Sequence, residues 1–298
     1  MPTPDWTIGR LLTWTTDYLK QHGAESPRLD AEVLLAHAQG CQRIMLYTMF
    51  EEIAPETLRN SFREMVKRRA DGTPVAYLVG HKEFYSLSFR VTSDVLIPRP
   101  ETEHLVVRLL DLLKTRGTGD APVEIADVGT GSGIIAVTIA KHAKNVQVTA
   151  LDMSPAALAV AKQNAAAHKV ADKIEFVESD LFAALSPERK FDFIASNPPY
   201  ISTAEMAQLA PSVRNHEPRL ALEAGPKGTE IIARLLPQVA ERLRPGGEFL
   251  CEISPMIEGA VRDLAASDPH WEVLPTLKDL AGHARIVPLR LKQEARPK

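Results

Sequence analysis

The sequence predicts an α/β fold in which a mostly parallel, seven-stranded sheet is covered by helices on both faces, preceded by a small helical domain and a β-hairpin connector. Three observations carry this. Apolar residues recur at helical spacing from Trp6 to about Val79, aromatic and branched residues then alternate with polar ones in EFYSLSFRVTSDVLIP, and strand-like and helix-like segments alternate from Val123 onward. At 298 residues the chain exceeds one ordinary compact domain. The boundaries fall at 1–80, 81–98 and 99–298.

In the first segment, LDAEVLLAHAQG sets Leu29, Val33, Leu34 and Ala36 to Ala38 on one buried face that stops at Gly40. Ser26 is a candidate cap with Pro27 just inside, and a longer helix starts near Pro55 and ends before Gly72. The hairpin is expected near residues 84–95. A helix follows Pro98 and Pro100, and TRGTGDAP reads as a flexible stretch.

Beyond it the strands are VEIADVG, VQVTALD, KIEFVES, FDFIASN, GEFLCEI, WEVLPTL and ARIVPLRL, with helices at 132–143, 155–168, 229–242 and 256–267. KDLAGH is too short for a parallel crossover, so the last strand should be antiparallel.

Composition narrows the function classes. Apolar residues make up 45% and charged residues 24%, the profile of a folded globular chain. Thirty-five Lys and Arg against 38 Asp and Glu give a net charge of −3, which supplies no general attraction to nucleic acid. Cys41 and Cys251 are far apart and lack metal-ligand spacing, so no disulfide framework or metal site is expected. MPTPDWTIGRLL has no signal-peptide pattern, and no run reaches the ~18 apolar residues of a membrane span. A cytoplasmic protein that engages no membrane is expected.

DVGTGSG places Asp127, Gly129, Thr130, Gly131, Ser132 and Gly133 between the first strand of the sheet and its helix, where the backbone can approach a ligand. Asp152 ends the second strand, placed to accept from ribose hydroxyls, and Asp180 follows the third. An acid-lined crevice repels a pyrophosphate and suits a sulfonium, so the predicted cofactor is S-adenosylmethionine, with Asp180 accepting the adenine amino group and Phe182 against its ring.

SNPPY follows the fourth strand. The prolines hold the chain extended and contribute carbonyls without competing N–H groups, so Asn197, Pro198 and Pro199 make a stiff row of acceptors. A planar NH₂ can give one hydrogen to the Asn197 side-chain oxygen and one to the Pro198 carbonyl, directing its lone pair for in-line attack on a methyl carbon. Tyr200 offers an aromatic face for a flat substrate group.

With these motifs the chain resembles the class I S-adenosylmethionine-dependent methyltransferases, whose core is Rossmann-like. Over nearly its full length it is more closely similar to the peptide-chain release factor glutamine N5-methyltransferases, the HemK/PrmC family. The matching segments are LDAEVLLAHA, RRADGTPVAYLVGHKEFYSL, LIPRPETE, DVGTGSG, SNPPYI, EPRLAL and DLAGHAR.

The resemblance implies methylation of the glutamine in the Gly-Gly-Gln motif of release factors, with residues 1–80 recognising the substrate. It implies that Gly129 to Gly133, Asp152, Phe182 and Asn197 hold the cofactor and that Asn197 to Tyr200 receive the glutamine, with Asn197, Pro198 and Tyr200 catalytic. It also implies that IPRPETE is a cofactor-adjacent segment in which Arg99 and Glu103 help close the site. Ser254 stands where the family usually has Gly, and a Gln usually found near Met256 or Ile257 is missing.

An adenine-N6 methyltransferase acting on DNA or RNA is the nearest alternative, because an exocyclic amine can use the same acceptors. It needs a basic surface. Arg59, Arg63 and Lys67 share a helix face, but residues 1–80 carry nine Lys and Arg against ten Asp and Glu. A noncatalytic S-adenosylmethionine-binding module is the alternative of a different class.

Overall fold

The computed structural model describes residues 5–116 and 121–293. It divides into two compact units, Met1–His81 with Ala210–His216, and Lys82–Leu209 with Glu217–Lys298. The segment Ala210–His216 therefore groups with the helical unit although it lies far along the chain. The stretch expected to be flexible, 115–122, falls partly outside the described residues.

The helical unit contains α1 (Ile8–Gln21), α2 (Pro27–Gln39), α3 (Met45–Thr48), α4 (Glu56–Ala70) and α5 (Val75–Val79) around Leu12, Leu19, Leu34, Leu35 and Phe62. Two local expectations need correction. Ser26 makes no side-chain capping bond, so Pro27 alone marks the start of α2, and Leu29 is 45% exposed because the buried face runs through Ala31, Leu34 and Leu35. On α4, Lys67 pairs with Glu64 at 3.0 Å, which neutralises part of the basic helix face.

Where the second unit begins, β1 (His81–Phe84) and β2 (Leu87–Arg90) form a hairpin several residues earlier than the alternating pattern suggests. Its turn, Tyr85–Ser86, has φ of 50° and 59°. Two positive values favour Asn-Gly, so no turn signal was visible in the sequence. The strain is carried by tertiary contacts: the Tyr85 N–H donates to Glu103 at 2.9 Å, and the Tyr85 ring meets His142 edge-on at 5.1 Å. Glu103 is thus engaged at the hairpin turn.

The remaining elements run α6 (Thr102–Thr115), β3 (Val123–Val128), α7 (Ile134–His142), β4 (Val146–Asp152), α8 (Pro155–Ala167), β5 (Ile174–Glu178), β6 (Phe191–Ser196), β7 (Ile201–Ser202), α9 (Thr203–Met206), α10 (Pro211–Arg214), β8 (Glu223–Gly225), α11 (Glu230–Arg242), β9 (Leu243–Glu252), α12 (Glu258–Ala266), β10 (Trp271–Val273), β11 (Leu277–Lys278) and β12 (Ala284–Leu291). Of these, α10 lies in the helical unit.

The main sheet has the order β10-β12-β9-β6-β3-β4-β5, with β11 also pairing β12. The five strands from β9 to β5 are parallel, and β12 is antiparallel to its neighbours, as the short KDLAGH link requires. WEVLPTL is two strands, not one. Pro275 has no N–H to give the ladder, and the chain leaves the sheet after the Leu274 N–H has bonded the Pro288 carbonyl at 3.0 Å.

Apolar cores lie on both faces of this sheet, one holding Phe84, Phe89, Leu105 and Leu109, the other Phe182, Phe191, Leu235 and Phe249. One buried amide ties the first core to the glycine loop. Asn164 Oδ1 accepts the Arg90 N–H at 2.7 Å, while its Nδ2 donates to the Arg90 carbonyl at 3.1 Å and to the Ser132 carbonyl at 2.8 Å. Asn164→Ala strands three backbone groups and is expected to cost about 2 kcal/mol, read as a lowered urea midpoint with an unchanged slope.

Candidate active site

The register of the sheet sets the site. Leu151 of β4 pairs Val128 of β3, Val128 pairs Ser196 of β6, and Ser196 pairs Cys251 of β9. The next residue on each strand is therefore Asp152, Gly129, Asn197 and Glu252, one row at the carboxyl ends of four parallel strands, where open α/β sheets bind ligands.

A cavity opens over this row. Gly129 to Ser132, Asp152, Asp180, Asn197, Pro198 and Pro199 line it. Gly133 does not line it. Its role is structural: at φ +83° it starts α7, and a Cβ there would lie 3.1 Å from that of Ala161 on α8. By contrast, a Cβ on Gly131 would meet nothing within 4 Å, so the loop backbone faces open space.

The acids organise the loop. Asp152 Oδ2 accepts the Gly131 N–H at 2.8 Å and Oδ1 accepts the Ser154 N–H at 2.9 Å. Burial raises the Asp152 carboxyl above its usual range, and these backbone bonds pull it back. Asp127, fully buried, accepts from Thr130 Oγ1 at 2.6 Å and from the Ala136 N–H at 3.1 Å, while its Oδ1 has no partner. Its burial pushes it up to about 7.

Asn197 is held from behind. Its Nδ2 donates to Thr102 Oγ1 at 3.2 Å, which leaves Oδ1 as the accepting end of the amide. Thr102, the first residue of α6, is wholly buried.

Besides Gly133, two predicted site residues, Phe182 and Tyr200, are placed differently from expectation. Phe182 is 1% exposed, 6.1 Å from the Phe191 ring, and packs in the core; its neighbour Leu181, at φ +53°, lines the cavity instead. Asp180 does line the cavity, but its Oδ2 accepts from Arg234 at 2.6 Å, so one oxygen is already engaged. Tyr200 is not among the lining residues. It packs against the second core, and burial raises its hydroxyl pKa.

Arg99 does line the cavity, paired at 2.6 Å with buried Glu217, whose other oxygen accepts the Ile97 N–H at 3.2 Å. That clamp joins the IPRP and EPRL segments. Sequence reading missed Leu181, Thr102, Glu217 and Glu252 as site-forming residues, and only the quoted segments LIPRPETE and EPRLAL pointed near two of them.

The donor set fits S-adenosylmethionine. The two arginines that line the cavity are both ion-paired, Gly131 has spent its N–H on Asp152, and the other lining residues are apolar, neutral polar or acidic, none of them cationic. Such a lining suits a cation carrying a ribose and offers little to a pyrophosphate.

Comparison with known proteins agrees. Residues 10–80 match the model of the PrmC N-terminal domain and residues 107–213 that of the methyltransferase small domain. A release factor glutamine methyltransferase of Rhodopirellula baltica is 52% identical over 285 residues, 96% of either chain. This chain belongs to the release factor glutamine methyltransferase family. Another member, from Koribacter versatilis, is 42% identical over 91% of this chain and 93% of its own. The crystal structure of the hMettl16 catalytic domain with a MAT2A 3′UTR hairpin superposes with a TM-score of 0.57 at 18% identity, covering 79% of this chain and 84% of that one, which shows a shared fold.

In this methyltransferase, Asp152→Asn sets an amide NH₂ against one of two backbone N–H donors. Affinity for S-adenosylmethionine is expected to fall roughly 10- to 100-fold, measured by titration calorimetry.

Proposed function

We propose that this chain transfers a methyl group from S-adenosylmethionine to the side-chain nitrogen, N5, of the glutamine in the Gly-Gly-Gln motif of peptide-chain release factors. The observation that carries the reading is the anchored Asn197 amide, whose nitrogen is committed to Thr102 and whose oxygen is therefore the end offered at the cavity.

An amide nitrogen shares its lone pair with its carbonyl and attacks poorly. Asn197 Oδ1 and the Pro198 carbonyl, by accepting its two hydrogens, fix the plane of the substrate NH₂ and raise the electron density on nitrogen. The bound cofactor supplies an electrophilic methyl carbon on a cationic sulfur. Pro198 and Pro199 keep the acceptor row stiff because neither has an N–H to turn toward the substrate. Behind them, a Cβ on Gly228 would stand 2.7 Å from the Tyr200 carbonyl, so glycine there lets the chain beyond NPPY pack closely.

Residues Gly129 to Ser132 and Asp152 hold the cofactor in this reading, with Asp180 at the cavity edge and Leu181 in the place expected for Phe182. Tyr200 acts by bracing the acceptor row rather than by stacking. A release-factor substrate implies a cytoplasmic setting with no direct nucleic-acid or membrane partner; among the described residues no helix is long and apolar enough to cross a membrane.

Mass analysis of a release factor incubated with the protein and S-adenosylmethionine is expected to find one added methyl on the motif glutamine. Label that enters nucleic acid instead would overturn the assignment. In Asn197→Ala, turnover is expected to fall roughly 100- to 1,000-fold with cofactor binding largely retained.

A further inference from the structure

Glu252 is the one member of the four-strand row that no motif singles out. It ends β9 at 2% exposure, brought beside Asn197 by the Ser196–Cys251 pairing. Thr102 and Asn197 face the carboxyl group and stabilise its charged form, and its Oε2 has no hydrogen-bond partner.

A buried carboxylate in that position is costly, and nothing in the packing of the sheet demands one: its pairing partner on β12 is the apolar Ile286. We propose that Glu252 is a positioning residue that fixes the Asn197 amide with its nitrogen inward and its oxygen toward the substrate, and that its negative charge strengthens that oxygen as an acceptor. The inference rests on the proposed role of Asn197.

The bond to Thr102 is the observed arrangement but does not by itself lock it, because a hydroxyl can donate as well as accept. An ionised carboxylate accepts only. Placed on the Nδ2 side, it makes the flipped amide unfavourable by setting two oxygens against each other, and it polarises the N–C=O unit so that Oδ1 carries more negative charge. The fully protonated carboxyl supplies neither effect.

The groups that face Glu252 work in opposite senses. Burial and Glu101 push it up, to about 7, while Thr102, Arg285 and Asn197 hold it down. Arg285 is shared, lying 3.5 Å from Glu101 and 2.8 Å from Asp279, so it compensates Glu252 only in part. Tyr200, raised partly by the charge on Glu252, stays protonated, and Arg99 is occupied by Glu217. The ionised, working form of Glu252 is therefore lost as pH falls through about 7.

The test uses the full chain and Glu252→Gln, which keeps shape and removes charge. In the ¹⁵N-labelled protein the Asn197 side-chain amide resonance, assigned by its loss in Asn197→Ala, is expected to titrate with a midpoint near 7 and to be flat across that range in Glu252→Gln. This readout does not depend on the substrate, so it stands apart from failure of the proposed function. With a release factor as substrate, kcat is expected to drop about 10-fold in Glu252→Gln and about 100-fold in Glu252→Ala, while the KM for S-adenosylmethionine stays within twofold and the acidic limb of the kcat profile disappears.

A folding control separates positioning from collapse. The folded carboxyl is raised, so its contribution to stability is present below the ordinary carboxylate range and lost as pH rises through about 7; Glu252→Gln escapes that loss and should unfold in urea no earlier than wild type at pH ~8. An Asn197 resonance in wild type that ignores pH between about 6 and 8, or a well-folded Glu252→Ala with wild-type kcat, overturns the proposal.

Discussion

The site depends on the in-register parallel pairing of β4, β3, β6 and β9. Because Leu151, Val128, Ser196 and Cys251 lie side by side, the chain leaves four strands at one level and delivers a carboxylate, a glycine, an amide and a second carboxylate to a single edge. Side chains alternate along a strand, so a slip of one residue would send Glu252 or Asp152 to the opposite face. The filled layers of Phe, Leu and Ile on both faces prevent such a slip, and in that sense the apolar cores set the chemistry.

That row is maintained against an electrostatic cost. Asp127 and Glu252 are pushed up to about 7 by burial, and Asp152 is raised as well. In each case the folded state holds its proton to higher pH than the unfolded chain, so the stability these groups contribute is complete under acid conditions and declines as pH rises through the folded values. A stability-optimised core would carry amides or apolar groups here. The carboxylates make sense as parts of a site, where Asp127 organises the start of α7, Asp152 holds the glycine loop and Glu252 holds Asn197.

Much of this was legible in the sequence because its signals are local. Glycines at a strand end, an acid ending the next strand and prolines after a third each announce themselves within a few residues, and the structure brings Gly129 to Ser132, Asp152, Asp180 and Asn197 to Pro199 to one cavity. What was not legible depends on geometry that no short pattern encodes. Leu181 adopts φ +53°, which turns it into the cavity and sends Phe182 into the core. The hairpin turn lacks Asn-Gly and is stabilised by Glu103 from α6. Thr102 is 95 residues from Asn197, and Glu252 meets it only through strand register.

The same logic explains why an acceptor row can work in a protein of near-neutral composition. A weakly nucleophilic amide is oriented by oxygens only if no stronger donor nearby competes for them. Around this cavity the charged donors and two amide donors are already committed: Arg99 to Glu217, Arg234 to Asp180, the Gly131 N–H to Asp152 and the Asn197 amide nitrogen to Thr102. Proline at 198 and 199 removes two more N–H groups by covalent means. The site therefore acts by what it has neutralised as much as by what it presents, leaving a carboxamide as the natural partner for the oxygens that remain.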